Sequence, residues 1–320
     1  MNDPANAPID IEEQRAWLIE HRKATNTSWS EIAKRIGIKQ GTLSQFGGPS
    51  GYSGDERRIA ETVFRYRQLL DQQKQLTVEA PKLPDYFTTP TSEQITMLLN
   101  WAQRGRIIVV ATGAGLGKTK TARHHRDCLP NVFIATMKPS TAGVNNMQQE
   151  VLKALGEKDA VGTPQRLSGR VMDRVRDLTN PLIIIDEAQH LSEKAIEEIR
   201  SWHDETGVGI ALLGNMTVMQ RLEGGARAAA FAQLYSRVSM RLIRPVPLQS
   251  DADALAEAWN VHEDDAIGYL RKIVTMPGGL RSGTMTLELA WMLASAERMP
   301  LSVQHLQDAW AQLSQRAVAA

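Results

Sequence analysis

The sequence predicts an α/β fold: a doubly wound parallel sheet with helical segments before and after it. Three observations carry this. In the middle of the chain, four short apolar runs rich in β-branched residues alternate with helix-prone stretches. A glycine-rich turn joins the first of these runs to the helix that follows. Both ends of the chain read as helix alone. Continuously apolar runs of this length suit strands buried on both faces of a parallel sheet, and strand–helix alternation is the signature of that architecture.

The chain has 320 residues, 42% of them hydrophobic, enough for two or three domains with a real core. Its punctuation lies at "FGGPSGYSGDE" (46–56), "VEAPKLPDYFTTPTS" (78–92) and "RPVPLQSDAD" (244–253), where Ser250 can cap the next helix. The expected organisation is residues 1–77, a linker at 78–91, the sheet domain at 92–245 and a helical segment at 246–320. Cys128 is the single cysteine, which excludes an intrachain disulfide and a cysteine-rich metal site. With no apolar run near the roughly 20 residues of a membrane span and no signal-like N-terminus, a soluble cytoplasmic protein is expected. Net charge is +1; Lys plus Arg against Asp plus Glu is 11 to 11 over 1–80, 21 to 16 over 81–245 and 5 to 9 over 246–320. The middle segment is therefore the better electrostatic contact for a polyanion, by a weak margin.

Taken in order, the first informative stretch is "SWSEIAKRIGIKQGTLSQF" (28–46). Ile32, Ile36, Ile38, Leu43 and Phe46 fit two short helices about a turn at Gly37, and Ala33 suits their close approach. The spacing Ala33, Gly37, Leu43 is that of a helix-turn-helix. Its second helix would offer Gln40, Thr42, Ser44 and Gln45 to a major groove, with Lys34, Arg35 and Lys39 on phosphates. An ordinary helical hairpin satisfies the same pattern.

The expected strands are 106–112, 131–136, 181–186 and 209–215, with helices at 118–127, 144–155, 164–178 and 192–203 between them. Thr163-Pro164 gives the third helix a cap and a first-turn proline. Residues 251–259, 263–275, 284–297 and 302–314 read as a small helical bundle.

Between the first strand and first helix stands "TGAGLGKT" (112–119). It matches the phosphate-loop pattern G-x-x-x-x-G-K-[ST] except that Thr112 holds the first glycine position. Thr112, Gly113, Ala114, Gly115, Leu116 and Gly117 would wrap phosphates with backbone N–H groups at a helix N-terminus. Lys118 would neutralise the β/γ oxygens, and the Thr119 hydroxyl would meet Mg²⁺. The first glycine serves turn geometry, so a small polar residue is tolerable there. The run "LIIIDEAQH" (182–190) supplies the second half of such a site: Asp186 for Mg²⁺, and Glu187 to activate water. Asn215, ending "LLGN", can orient that water or merely make a turn. ATP and Mg²⁺ are the implied cofactors.

These motifs resemble the AAA+ ATPase family, which implies a P-loop sheet core with a C-terminal helical lid. The resemblance makes Arg237, in "FAQLYSRVSM" (231–240), the arginine finger offered to a neighbouring subunit, with Arg227 and Arg241 as runners-up. It makes Arg281, in "MPGGLRSG" (276–283), the second sensor over the phosphates. A finger supplied in trans implies self-association.

The order of parts, together with "EIAKRIGIKQGTLSQF", "YSRV" and "PGGLR", resembles the phage Mu transposition target-DNA activator (MuB) family along nearly the whole chain. That resemblance implies an ATP-dependent helical oligomer on double-stranded DNA of any sequence, which presents the DNA to a DDE-type transposase and disassembles on hydrolysis. Lys138, Ser140 and Thr141, after the second strand, are candidate DNA contacts, whereas Arg166, Arg170 and Arg174 fit a solvated helix face. A helicase loader or replication initiator, and an ATP-switched DNA-binding regulator, are the other classes open to the sequence.

Overall fold

The computed structural model describes residues 9–48, 51–76, 85–223 and 236–318. The chain divides into two compact units, Met1–Glu79 and Ala80–Ala320.

The first unit is helical: α1 (Ile11–Thr25), α2 (Trp29–Ile36), α3 (Gln40–Phe46) and α4 (Glu56–Leu76). Ser28 starts α2 by accepting the Glu31 N–H at 3.2 Å. Gly37 ends it at φ 77°, donating its N–H to the Ala33 carbonyl at 2.9 Å; glycine adopts this left-handed stop without a Cβ penalty. Leu18, Ile32, Leu43, Phe46 and Val63 are fully buried together.

The second unit opens with α5 (Pro90–Ala102). Thr89 caps it and Pro90 occupies its first position; the Thr89 N–H donates to Ser92 Oγ at 2.8 Å, and the Ser92 N–H to Thr89 Oγ1 at 3.1 Å. The helix thus begins within the stretch that reads as a linker, because a threonine cap and a first-turn proline look the same as loop punctuation. There follow β1 (Ile107–Thr112), α6 (Lys118–Cys128), β2 (Val132–Thr136), α7 (Val144–Ala154) and α8 (Pro164–Arg176), the last capped by Thr163. Then come β3 (Leu182–Asp186), α9 (Glu193–Thr206), β4 (Gly209–Gly214), α10 (Met216–Glu223) and β5 (Val238–Arg244).

The strands form one parallel sheet in the order β2-β3-β4-β1-β5. Strands β1, β3 and β4 are buried along their whole length. Alternate residues face two cores. Val109, Ile183, Ile185 and Leu212 pack with Trp202 of α9, while Ile108, Val110, Ile184 and Leu213 pack with Ile95 and Leu99 of α5. Strand β5 is absent from the sequence reading. Among the described residues it pairs only with β1, and its residues alternate between covered and exposed, so it lacks the continuous apolar run of the central strands.

Four helices complete the unit: α11 (Gln249–Ala258), α12 (Asp264–Val274), α13 (Leu280–Ala296) and α14 (Val303–Val318). They share a core of Leu255, Trp259, Leu270, Leu287 and Leu306. Ser250 does not cap α11. That task falls to Asp251, whose carboxylate accepts the Leu248 N–H at 2.8 Å. The same carboxylate is fully buried and accepts the N–H of Thr91 at 2.8 Å and its hydroxyl, so one side chain fastens the helical bundle to α5. Removing it leaves buried donors unpaired, at about 1–3 kcal/mol each. Asp251→Ala should lower the urea-unfolding free energy by about 3–5 kcal/mol, and Asp251→Asn by clearly less; equal loss in the two variants would contradict this account.

Candidate nucleotide-binding site

The C-terminal ends of the adjacent strands β3, β4 and β1 converge on one edge of the sheet, the place where open α/β sheets bind ligands. A cavity of about 520 Å³ lies there, walled by residues 114–121 on one side and by Glu187 and Asn215 on another. Leu280, Arg281, Thr284, Met285 and Glu288 from the start of α13 close it.

Thr112 ends β1 fully buried, and the N–H of Gly113 donates to the carbonyl of Arg244, the last residue of β5, at 2.9 Å. The unforeseen edge strand therefore pins the first turn of the loop. Thr112 and Gly113 do not line the cavity; Ala114, Gly115, Leu116, Gly117, Lys118 and Thr119 do. Gly117, at φ 83°, precedes α6, whose N-terminal N–H groups lie at the cavity. The Lys118 ammonium donates to the Thr112 carbonyl at 3.3 Å, to Thr112 Oγ1 at 3.0 Å and to the Gly113 carbonyl at 3.2 Å. The residue that replaces the usual glycine thus supplies the lysine with an extra acceptor.

Burial pushes the Lys118 ammonium below its ordinary value, against the pull of Glu187 and Asp186, and Arg281 adds to the depression. Asp186 is 1% exposed, and burial pushes its carboxyl up, opposed by the hydrogen bond from Thr119. The Thr119 hydroxyl donates to Asp186 Oδ2 at 2.8 Å, and the Glu187 N–H to Oδ1 at 3.1 Å. The two predicted metal ligands are therefore adjacent, and their buried carboxylate charge suits a cation. Among the described residues no group of three or more His, Cys, Asp or Glu side chains could hold a metal.

Glu187 adopts φ 57°, a left-handed conformation rare outside glycine and asparagine. Its carboxylate accepts a hydrogen bond from the Gln189 amide. Asn215 lines the cavity while its Oδ1 accepts the Thr217 N–H at 2.9 Å, so the side chain that makes the turn also stands at the cavity wall.

Arg237 does not line this cavity; its Nε donates to Asp204 Oδ1, at the end of α9, at 2.7 Å. Arg241 is exposed on β5, while Arg227 and residues 231–235 lie outside the described residues. Lys138 and Ser140 are exposed. Thr141 is buried, and its hydroxyl closes the 138–141 turn, accepting from the Lys138 N–H at 2.8 Å and donating to its carbonyl at 3.1 Å. Of these three DNA candidates, Thr141 is thus a turn-former. In α3, Gln40 and Gln45 are exposed, whereas Thr42 and Ser44 are half-buried and the Ser44 hydroxyl donates to the Gly41 carbonyl at 3.1 Å. Arg170 and Arg174 both pair with Glu157, as a solvated face would, and Arg166 is exposed.

The sequence reading missed one wall. Asp85, Tyr86 and Phe87, in the supposed linker, line the cavity, and Tyr86 stacks on His124 of α6 with ring centroids 3.9 Å apart. Two adjacent aromatics in a proline-bounded stretch were the available signal.

The AAA domain family matches residues 102–222, and the C-terminal part of the Mu B transposition protein family matches residues 236–313. The chain is 32% identical over 306 residues to the ATP-dependent target DNA activator B of Escherichia phage Mu, covering 95% of this chain and 96% of that protein. It is 30% identical over 272 residues to the Mu-like prophage FluMu DNA transposition protein B of Haemophilus influenzae, covering 84% and 93%. Among solved structures, the Aeropyrum pernix ORC2 protein, in ADPNP–ADP complexes, superposes with a TM-score of 0.54 over 75% of this chain and 71% of that one, at 13% identity. That likeness establishes the AAA+ fold alone.

A Cβ added at Gly115, which sits at φ 74°, would lie 1.8 Å from the Gly278 carbonyl oxygen. The left-handed conformation alone costs about 1–2 kcal/mol for alanine. Gly115→Ala should weaken binding of a fluorescent ATP analogue at least about tenfold, one decade per 1.4 kcal/mol. Thr112→Ala, which leaves two carbonyl acceptors for Lys118, should stay within about threefold of the parent. A reversed ranking would refute this reading of the loop.

Proposed function

The chain belongs to the Mu B transposition protein family, within the AAA+ ATPases, and from that premise we propose an ATP-hydrolysing, DNA-assembling role for it. In this reading it binds double-stranded DNA without sequence preference as an ATP-dependent helical oligomer and delivers that DNA to a DDE-type transposase. The observation that carries the proposal is the convergence of Lys118, Thr119, Glu187, Asn215 and Arg281 on one cavity, with Asp186 hydrogen-bonded to Thr119, in a chain aligned almost end to end with an ATP-dependent target DNA activator.

The roles follow from position. Backbone N–H groups of residues 114–119 and the N-terminus of α6 would take the phosphates. Lys118, already desolvated, would exchange its loop carbonyls for β/γ oxygens. Thr119 and Asp186 would hold Mg²⁺, which when bound neutralises charge across the β- and γ-phosphates. Glu187 would accept a proton from water as the water oxygen bonds the γ-phosphorus and the bond to the β–γ bridging oxygen breaks. Asn215 would orient that water. Arg281, from the first turn of α13, would meet the phosphates from the lid side, and Arg237 would act on a neighbouring subunit's nucleotide. Hydrolysis would remove the charge that Arg237 recognises and so loosen the oligomer. The exposed Lys138 and Ser140, and the exposed Gln40 and Gln45 of the helix-turn-helix, remain the candidate DNA contacts.

The test is binding to random-sequence duplex DNA with ATP, with ADP and without nucleotide, imaged in parallel by electron microscopy. ATP-dependent filaments are expected, lost in Lys118→Ala and persistent in Glu187→Gln. Nucleotide-independent, sequence-selective binding without assembly would sink the proposal. Each phosphate contact should add to a fall in affinity with salt, log K against log[salt] sloping by about −0.9 per phosphate neutralised.

Arg237→Ala should leave nucleotide affinity in place and cut DNA-stimulated hydrolysis by about 10³-fold or more, the range for a finger supplied in trans. A variant that hydrolyses ATP at the parental rate would remove Arg237 from that role.

A further inference from the structure

The side chain of Gln189 lies between two groups that the hydrolytic reading uses. Its Nε2 donates to Glu187 Oε2, and its Oε1 accepts the backbone N–H of Asn215 at 3.3 Å. The amide orientation follows from its neighbours: a backbone N–H can only donate and an ionised carboxylate can only accept. A neutral amide of this length satisfies both. Glutamate would oppose the Glu187 carboxylate, and an apolar side chain would meet neither demand.

The surroundings hold this bridge in place. Gln189 sits in the middle of a 3₁₀ turn, Ala188–His190, directly after β3. Ala188 and Leu191 anchor the turn in the core at 3% and 1% exposure, and the Ser192 N–H donates to the Ala142 carbonyl at 2.8 Å. On the other strand, Gly214 leaves the space the amide needs, since a Cβ there would fall 2.6 Å from Gln189 Oε1. Glu187, meanwhile, is in the left-handed region, so its side chain leaves the strand end in a direction the strand alone does not set.

We infer that Gln189 is a positioning residue for hydrolysis: it fixes the Glu187 carboxylate and ties it to the end of β4 that carries Asn215. The group that accepts the proton and the group that orients the water then share one rigid frame. One carboxylate oxygen is engaged by Gln189, which leaves the other to face the water. This inference rests on the reading of Glu187 as general base.

Gln189→Met keeps length and bulk while removing both hydrogen bonds; Gln189→Glu keeps shape and reverses the polarity toward Glu187. The full-length chain is assayed with Mg²⁺-ATP and duplex DNA, and fluorescent-ATP affinity and the ATP-induced rise in melting temperature are measured in parallel. Expected is a fall in kcat of about 10–100-fold, the usual scale for loss of an outer-shell partner, with Gln189→Glu the lower of the two. Nucleotide affinity should stay within twofold in both. In single-turnover assays on a Glu187→Gln background, Gln189→Met should cost nothing further, because a residue acting through Glu187 has no independent contribution. Parental kcat in Gln189→Met, a matching loss of ATP affinity, loss of the ATP-induced melting shift, or an additive double variant would each overturn the inference. An inactive parent would instead refute the hydrolytic reading itself.

Discussion

Everything about this site depends on a backbone meeting a backbone. The phosphate loop and the turn that opens α13 touch without side chains between them. Besides Gly115 against the Gly278 carbonyl, a Cβ at Gly279 would lie 2.8 Å from the Ala114 carbonyl. Gly278 and Gly279 both carry positive φ, at 101° and 58°. Two residues beyond the second glycine stands Arg281, so the contact that seats the lid also sets where its arginine begins. Any movement of the loop around a phosphate is therefore felt at the lid turn, with no compliant side chain to absorb it. Asp251 adds a second fastening, from α11 to α5, and α5 leads straight into β1. Loop, sheet and lid are thus joined at two places within the second unit.

The electrostatics of the cavity have the same character. Lys118 is half-buried and Asp186 almost fully buried, and burial disfavours the charged form of both. Their hydrogen bonds are to neutral groups, with Lys118 donating to loop oxygens and Asp186 accepting from a hydroxyl and an amide, while each also lies within the field of the other and of Glu187. In the proposed reading a polyphosphate would bring negative charge to the lysine and its divalent cation would bring positive charge to the carboxylate, offsetting the burial that disfavours both charged forms.

The legibility of the sequence follows physical lines. Strands β1, β3 and β4 were readable because burial on two faces demands an unbroken apolar run, and the placement of Thr119, Asp186 and Glu187 around one cavity was readable because each sits at a strand or loop end where the motif spacing is rigid. Strand β5 was not, since an edge strand needs only one covered face and Val238–Arg244 alternates accordingly. Tyr86 and Phe87 were hidden by the prolines around them, which signal a linker whether or not the segment docks. The contacts of Thr141 and Asp251 were hidden for a different reason. A threonine after a strand and an aspartate near a helix start have several possible hydrogen-bond partners, and only the three-dimensional neighbours decide that Thr141 closes its own turn and that Asp251 reaches across to Thr91.

The placing of Arg237 bears on how assembly and hydrolysis could be coupled. It is held by Asp204 with side-chain exposures of 37% and 31%. Had this pair been buried, pulling the arginine out would leave a stranded carboxylate at a cost of about 3–5 kcal/mol. At this exposure an ion pair is worth about 0–1 kcal/mol, and water takes over the carboxylate once the arginine leaves. Asp204 also pairs with Arg200, so it retains a cationic partner throughout. The Asp204 pair by itself is therefore a small barrier to Arg237 engaging a neighbouring subunit's γ-phosphate under the proposed assembly.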